Sequence, residues 1–313
     1  MGGSDVINQG RALTRPSSRE PYATGMFKQT KSTSARTPWR PVLLAAWVVV
    51  IAGGQTSAAT DPTLDAGFRA MYALDFPSAG RLFADFEKSY PSDPMGYAAE
   101  TTCLVFSEFN RLKLLEAEFE AENKKFFAQP ALPPDPRLKQ RILELSERTQ
   151  QLAEARLRQD PADEQALFAL ALTNGILGDY AAHVEHRYWG AAKYGRQGDE
   201  FARKLLQHNP QFYDAYIWTG VTNYIYGSLP LPVRWPARLF GLYGNKATGV
   251  ANLRLAAEKG QYLKPYAKML LSITYLRENN KPAAAALLTE LSSEFPTNGL
   301  FAAQAKRLTA NGM

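Results

Sequence analysis

Asp75-Phe76-Pro77-Ser78-Ala79 leads through Phe83 and Phe86 to Tyr90-Pro91, and far downstream Asn280-Lys281-Pro282-Ala283-Ala284 leads through Leu288 and Leu291 to Phe295-Pro296. In each stretch a turn is followed by an Ala, apolar residues come four and seven positions later, and a Pro comes twelve later. The spacing puts the apolar side chains on one face of a helix, and the proline stops it. A preceding helix follows a complementary rule, a bulky residue and then a small one four later: Leu167 with Ala171, and Tyr216 with Gly220, each shortly after Pro161 or Pro210. Small residues let two helices approach, and the large ones fill the gap between them.

The pattern resembles a tetratricopeptide repeat, and five matches in one register cover nearly all of 60–313. No single hairpin of this kind buries its own apolar face, so neighbours must stack. Alternating runs with hairpin turns are absent. The reading is an all-α, tetratricopeptide-like superhelix of about twelve helices. The terminating prolines (Pro91, Pro161, Pro210, Pro296) stand much further apart than the 34-residue period. The excess goes into inserts around 113–136 and 227–244 and into a second helix lengthened to roughly 182–208. If Gly178-Asp179-Tyr180 is a repeat turn, His183 falls where a small residue is expected.

Residues 216–260 run from Tyr216 and Gly220 through Leu229-Pro230-Leu231-Pro232 to Gly241, Gly244, Gly249 and Leu253. This segment resembles part of the inclusion-body-clearance family of tetratricopeptide proteins. The resemblance covers about 45 residues and brings no catalytic motif.

The formal net charge is +6, but it is unevenly placed. Residues 1–59 hold seven Lys and Arg against two acids, so the rest of the chain is close to neutral. After Arg40 comes an apolar run, Val42–Ala52, much shorter than the ~20 residues of a spanning helix, and then Ser57-Ala58-Ala59. This is the layout of an export signal cleaved after Ala59; an uncleaved N-terminal anchor is the alternative. Met26 would make a conventional start. The expected organisation is therefore a leader over 1–59 and one solenoid over 60–313, located in the periplasm or cell envelope.

Chemistry is harder to find. No phosphate-binding glycine loop, nucleophile elbow or His-Glu-x-x-His occurs, so the reading is non-catalytic, with no cofactor. His183 and His186, three apart on an expected helix, lack identifiable third and fourth ligands for a metal. Cys103, among Leu104, Val105 and Phe106, reads as core. The Glu116–Glu122 run reads as a solvated helix face. Arg234, Trp235, Arg238, Tyr243 and Lys246 interleave cations with aromatics, but the near-neutral domain argues against nucleic acid. Arg234, Trp235, Arg238 and Phe240 instead form a candidate insert for peripheral membrane or partner contact, against the plainer reading of an insert packed over the core.

The repeat register places Phe68, Phe168, Leu172, Ile217, Val221, Tyr224, Met269 and Ile273 on the concave surface of the superhelix. These are apolar where peptide-clamp versions of the fold carry Lys, Arg and Asn. The favoured function is a scaffold for a protein partner, reached through an open apolar groove; the alternative is a binding component for a hydrophobic or lipid-like ligand, for example serving an envelope transporter. A further alternative is that the inserts fold back and turn the groove into core. Exposure of Phe168, Ile217 and Tyr224 separates an open groove from a filled one.

Overall fold

The computed structural model describes residues 61–117, 132–239 and 243–310, all inside one compact unit, 56–313. The leader, the Glu118–Glu122 part of the acidic run and Phe240 lie outside the described residues. Apart from single turns, the described residues form twelve helices and no strand. They are α1 (Pro62–Tyr72), α2 (Phe76–Ser89), α3 (Pro94–Arg111), α4 (Pro136–Gln159), α5 (Glu164–His183), α6 (Tyr188–His208), α7 (Tyr216–Ser228), α8 (Leu231–Leu239), α9 (Lys246–Lys259), α10 (Lys264–Arg277), α11 (Lys281–Glu294) and α12 (Gly299–Ala310).

Local sequence sets the starts. Asp61, Asp75, Asp93, Asp135, Asp163, Asn245 and Asn280 each accept a backbone N–H of the helix they precede. Such caps satisfy donors that the helix cannot, and proline in the first turn sacrifices none. The hairpin turns share a further device. Leu74, Lys113, His186 and Asn279, which follow α1, α3, α5 and α10, all have positive φ, between 55° and 64°.

The hairpins are α1/α2, α3/α4, α5/α6, α7/α9 and α10/α11, with α12 packed on α11; second helices also pack on the next hairpin's first. This is a tetratricopeptide-like stack. The quoted residues do what their spacing requires: Ala79, Phe83 and Phe86 of α2 are buried, as are Ala284, Leu288 and Leu291 of α11. The small-against-large rule is equally literal. A Cβ on Gly67 would lie 2.4 Å from the Phe83 ring, and one on Gly220 would lie 2.9 Å from Leu253 Cγ.

One turn is misplaced by sequence reasoning. Gly178-Asp179-Tyr180 is not a turn; α5 runs through it to His183, and the reversal falls at 184–187. A Cβ on Gly178 would lie 3.4 Å from the Ala191 carbonyl and 3.5 Å from the Gly195 nitrogen, so α5 packs directly on the α6 backbone at this point. His186 consequently sits in the turn, exposed, and not on a helical face with His183.

The superhelix also closes on itself. Phe68 packs against Tyr262, Tyr72 against Phe295, and Phe106 against Tyr266, with ring centroids 5.1, 5.8 and 5.5 Å apart. The Asn298 side chain donates to the Tyr72 carbonyl at 2.8 Å, and Arg69 meets Glu294 at 3.3 Å. The first hairpin thus bonds to the last across the middle of the stack.

Candidate functional site

Closure decides the fate of the concave surface. Phe168, Ile217 and Tyr224 retain 1%, 3% and 6% of their exposure, and Phe68, Leu172 and Met269 are buried as well; Val221 and Ile273 are half-buried. Among the described residues, the expected concave face is therefore core and half-buried wall, not an open groove. The covering groups are neighbouring repeats: Phe168 packs on Phe212, Trp218 and Tyr262. Tyr224 donates to Glu278 at 2.9 Å, and Glu278 also pairs with Lys246, which locks α7, α9 and α10 together.

The groove does not vanish completely. A cavity of about 480 Å³ remains among α3, α5, α6, α7 and α10. Leu172, Ile217 and Val221, expected on the concave face, are in its wall, together with Phe106, Trp218 and Leu270. The other expected groove residues lie outside that wall. Tyr188 and Ile225 belong to the same wall yet are 57% and 48% exposed, so they mark the mouth. Trp189, next to Tyr188, is 90% exposed. A cleft of this size, mostly apolar with few polar groups, has the character of a small-molecule site.

Small residues of α5 and α6 contribute to its wall: Gly175, Gly178 and Ala182 on one helix, Ala191, Ala192 and Gly195 on the other. Gly195 is the informative one, because a Cβ there would meet nothing within 4 Å. A mid-helix glycine costs about 1 kcal/mol relative to alanine, and here no packing contact requires it. The small residues recur three and four apart on both helices, a signal present in the sequence that the repeat register did not single out.

The polar content is sparse. Asp179 of α5 accepts from the Tyr266 hydroxyl of α10 at 2.7 Å, and both residues are in the wall. His183, one turn further along α5, packs edge-on against Phe109 at 6.0 Å. Behind the wall, the buried Asp214 accepts backbone N–H bonds from Gln261, Tyr262 and Leu263, fixing the start of α10. Burial pushes its carboxyl up to about 6, against those same bonds, which hold it down. Nothing in the sequence marks Asp214, whose partners are nearly fifty residues away.

The remaining candidates separate. Arg234 donates to the Gly244 carbonyl at 3.2 Å and is half-buried, whereas Trp235 is 72% exposed. The two are not brought into one site with the cavity. The side chain of Arg238 and the whole of Phe240 lie outside the described residues. Cys103 is buried and unpaired with another cysteine, and burial pushes its thiol up to about 12. Among the described residues no group of three or more His, Cys, Asp or Glu stands ready to hold a metal. Nor is any described helix long and apolar enough to cross a membrane.

No family model matches the chain, and no curated protein matches it. Among solved structures, a thermophilic TPR protein of Thermus thermophilus is similar at 14% identity, over 80% of this chain and 98% of that one, with a TM-score of 0.42.

Proposed function

We propose that this chain is a non-catalytic helical-repeat scaffold that carries a hydrophobic, lipid-like molecule in the cavity and meets a protein partner at the aromatic mouth. Stacked-hairpin folds generally serve as binding surfaces, and the observation that carries the reading is the cavity itself. Its apolar wall, its size and the uncompensated glycine at 195 support a pocket kept empty for a guest. Phe168, Ile217 and Tyr224, buried by neighbouring repeats, leave no long groove for a partner's helix. The exposed Tyr188, Trp189 and Ile225 are what a partner would touch, aromatic residues being favoured at such contacts. The leader favours export, so that the domain works in the periplasm or envelope.

The test is to purify the chain from its own membrane-bounded host, extract it with organic solvent and identify the contents by mass spectrometry. Cross-linking from position 189 is run in parallel. The proposal expects a stoichiometric apolar molecule from the unaltered chain, depleted in Gly195→Leu, and a protein cross-link at Trp189. An empty extract together with failure to bind any apolar probe would refute the ligand half. Absence of a discrete cross-linked protein would refute the partner half.

A further inference from the structure

We infer that α8 and the turn after it form an interfacial anchor that lays the chain on an anionic lipid surface. The inference goes beyond the cavity reading and does not depend on it. α8 (Leu231–Leu239) belongs to none of the hairpins, because α7 pairs with α9 and α8 stands between them in the chain. Its apolar side chains do not fold back over the core. Leu231 and Trp235 are 78% and 72% exposed, and a spacing of four puts them on one face of the helix. Beyond the helix, Tyr243 is 70% exposed. The Arg234 side chain donates to the Gly244 carbonyl at 3.2 Å, which brings that turn back against α8. Exposed Leu, Trp and Tyr are thus gathered in one short stretch.

Charge selects the occupant. Between Asp214 and Glu258 the chain holds no acid and four bases, Arg234, Arg238, Lys246 and Arg254. Lys246 answers Glu278 and Arg254 bonds the Tyr275 hydroxyl, while Arg234 and Arg238 belong to α8 itself. A second copy of the chain would bring the same cations together, with no acid in the segment to meet them. An anionic bilayer suits both features. Trp and Tyr settle at the headgroup level, leucine reaches the acyl boundary, and each basic residue near such a surface strengthens binding about fivefold. At nine residues α8 is far too short to span, so it would lie in the plane of the interface.

The test labels the full chain at position 243, through Tyr243→Cys, with the environment-sensitive fluorophore nitrobenzoxadiazole; Cys103, the other thiol, is buried. Vesicles of equal parts phosphatidylglycerol and phosphatidylcholine, carrying a nitroxide-lipid quencher, are compared with vesicles of phosphatidylcholine alone. The expected result is a blue-shifted, quenched label on the anionic vesicles. Apparent affinity should fall at least about tenfold on phosphatidylcholine, and likewise in ~1 M salt, where charges are screened beyond ~3 Å. Leu231→Ser combined with Trp235→Ser should also weaken the label's response about tenfold or more. Both side chains are exposed, so the thermal melt should not move. The label reports position 243 alone, so attachment through the basic residues of 1–59 does not register as success. A label that stays in water on anionic vesicles would overturn the inference, as would an undiminished response from the double variant. A label shielded without lipid, in proportion to protein concentration, would show a second copy on this face and overturn it too.

Discussion

Replacing Asp214 should unfasten the start of α10 and with it one wall of the cavity. The carboxylate is 3% exposed and receives N–H bonds from Gln261, Tyr262 and Leu263, between 2.9 and 3.3 Å. Asp214→Ala leaves three donors without an acceptor. At about 1–3 kcal/mol for each buried orphan, partly offset by water entering, the loss should be roughly 3–6 kcal/mol. That is a large share of the ~5–15 kcal/mol that holds a typical domain. Asp214→Asn keeps one oxygen, enough for Gln261 and Leu263 but not for Tyr262, so its cost should be nearer ~1–3 kcal/mol. The pH dependence has a definite sign. The folded-state carboxyl sits at about 6, above its ordinary 3.8, so the folded chain binds the proton more tightly. The stabilisation from this protonation is present in full below pH 3.8 and is lost as the pH rises through 6. Urea unfolding followed by circular dichroism, at pH 5 and pH 7, measures all of this. An Ala variant within 1 kcal/mol of the parent, or an Asn variant that keeps the parent's pH 5-to-7 difference, would refute the reasoning.

Other consequences follow from single positions. Gly80 lies inside α2, and a Cβ there meets nothing within 4 Å, so Gly80→Ala should stabilise by about 1 kcal/mol, read from the same urea midpoint. Burial and the neighbouring Glu100 carboxyl push Glu87 up to about 8, with Arg141 pulling it down. Its raised value means stability present below pH 4.5 and lost as the pH rises through 8; Glu87→Gln should flatten stability between pH 7 and 9, and an unchanged slope would count against it.

The repeat was legible because its determinants are local. Ala79, Phe83 and Phe86 and their counterparts at 284, 288 and 291 lie within a few helical turns of one another, where a 3.6 period is sufficient information. The misread turn at Gly178 has a simple cause. Glycine in a helix and glycine in a turn look alike in sequence, and only the approach of the α6 backbone distinguishes them. Closure was invisible for the opposite reason. Phe68 with Tyr262, and Tyr72 with Asn298, are pairs separated by about two hundred residues, and no periodicity encodes them. The register did select Leu172, Ile217 and Val221, which reach the cavity. It could not reveal that the space between them was walled by glycines and one aspartate on helices it treated as ordinary hairpin partners.

The central claim is that the cavity is a binding site, and the measurement that reaches it most directly is titration of N-phenylnaphthylamine into the full chain and into Gly195→Leu. Leucine is the better helix former by close to 1 kcal/mol, and a Cβ at position 195 meets no other atom within 4 Å, so a melting temperature held at or above the parent's separates filling of the cavity from unfolding. The account predicts saturable binding to one site in the parent and at least about tenfold weaker binding in the variant, equivalent to ~1.4 kcal/mol, with the melting temperature held or raised. Equal binding by the two proteins would contradict it.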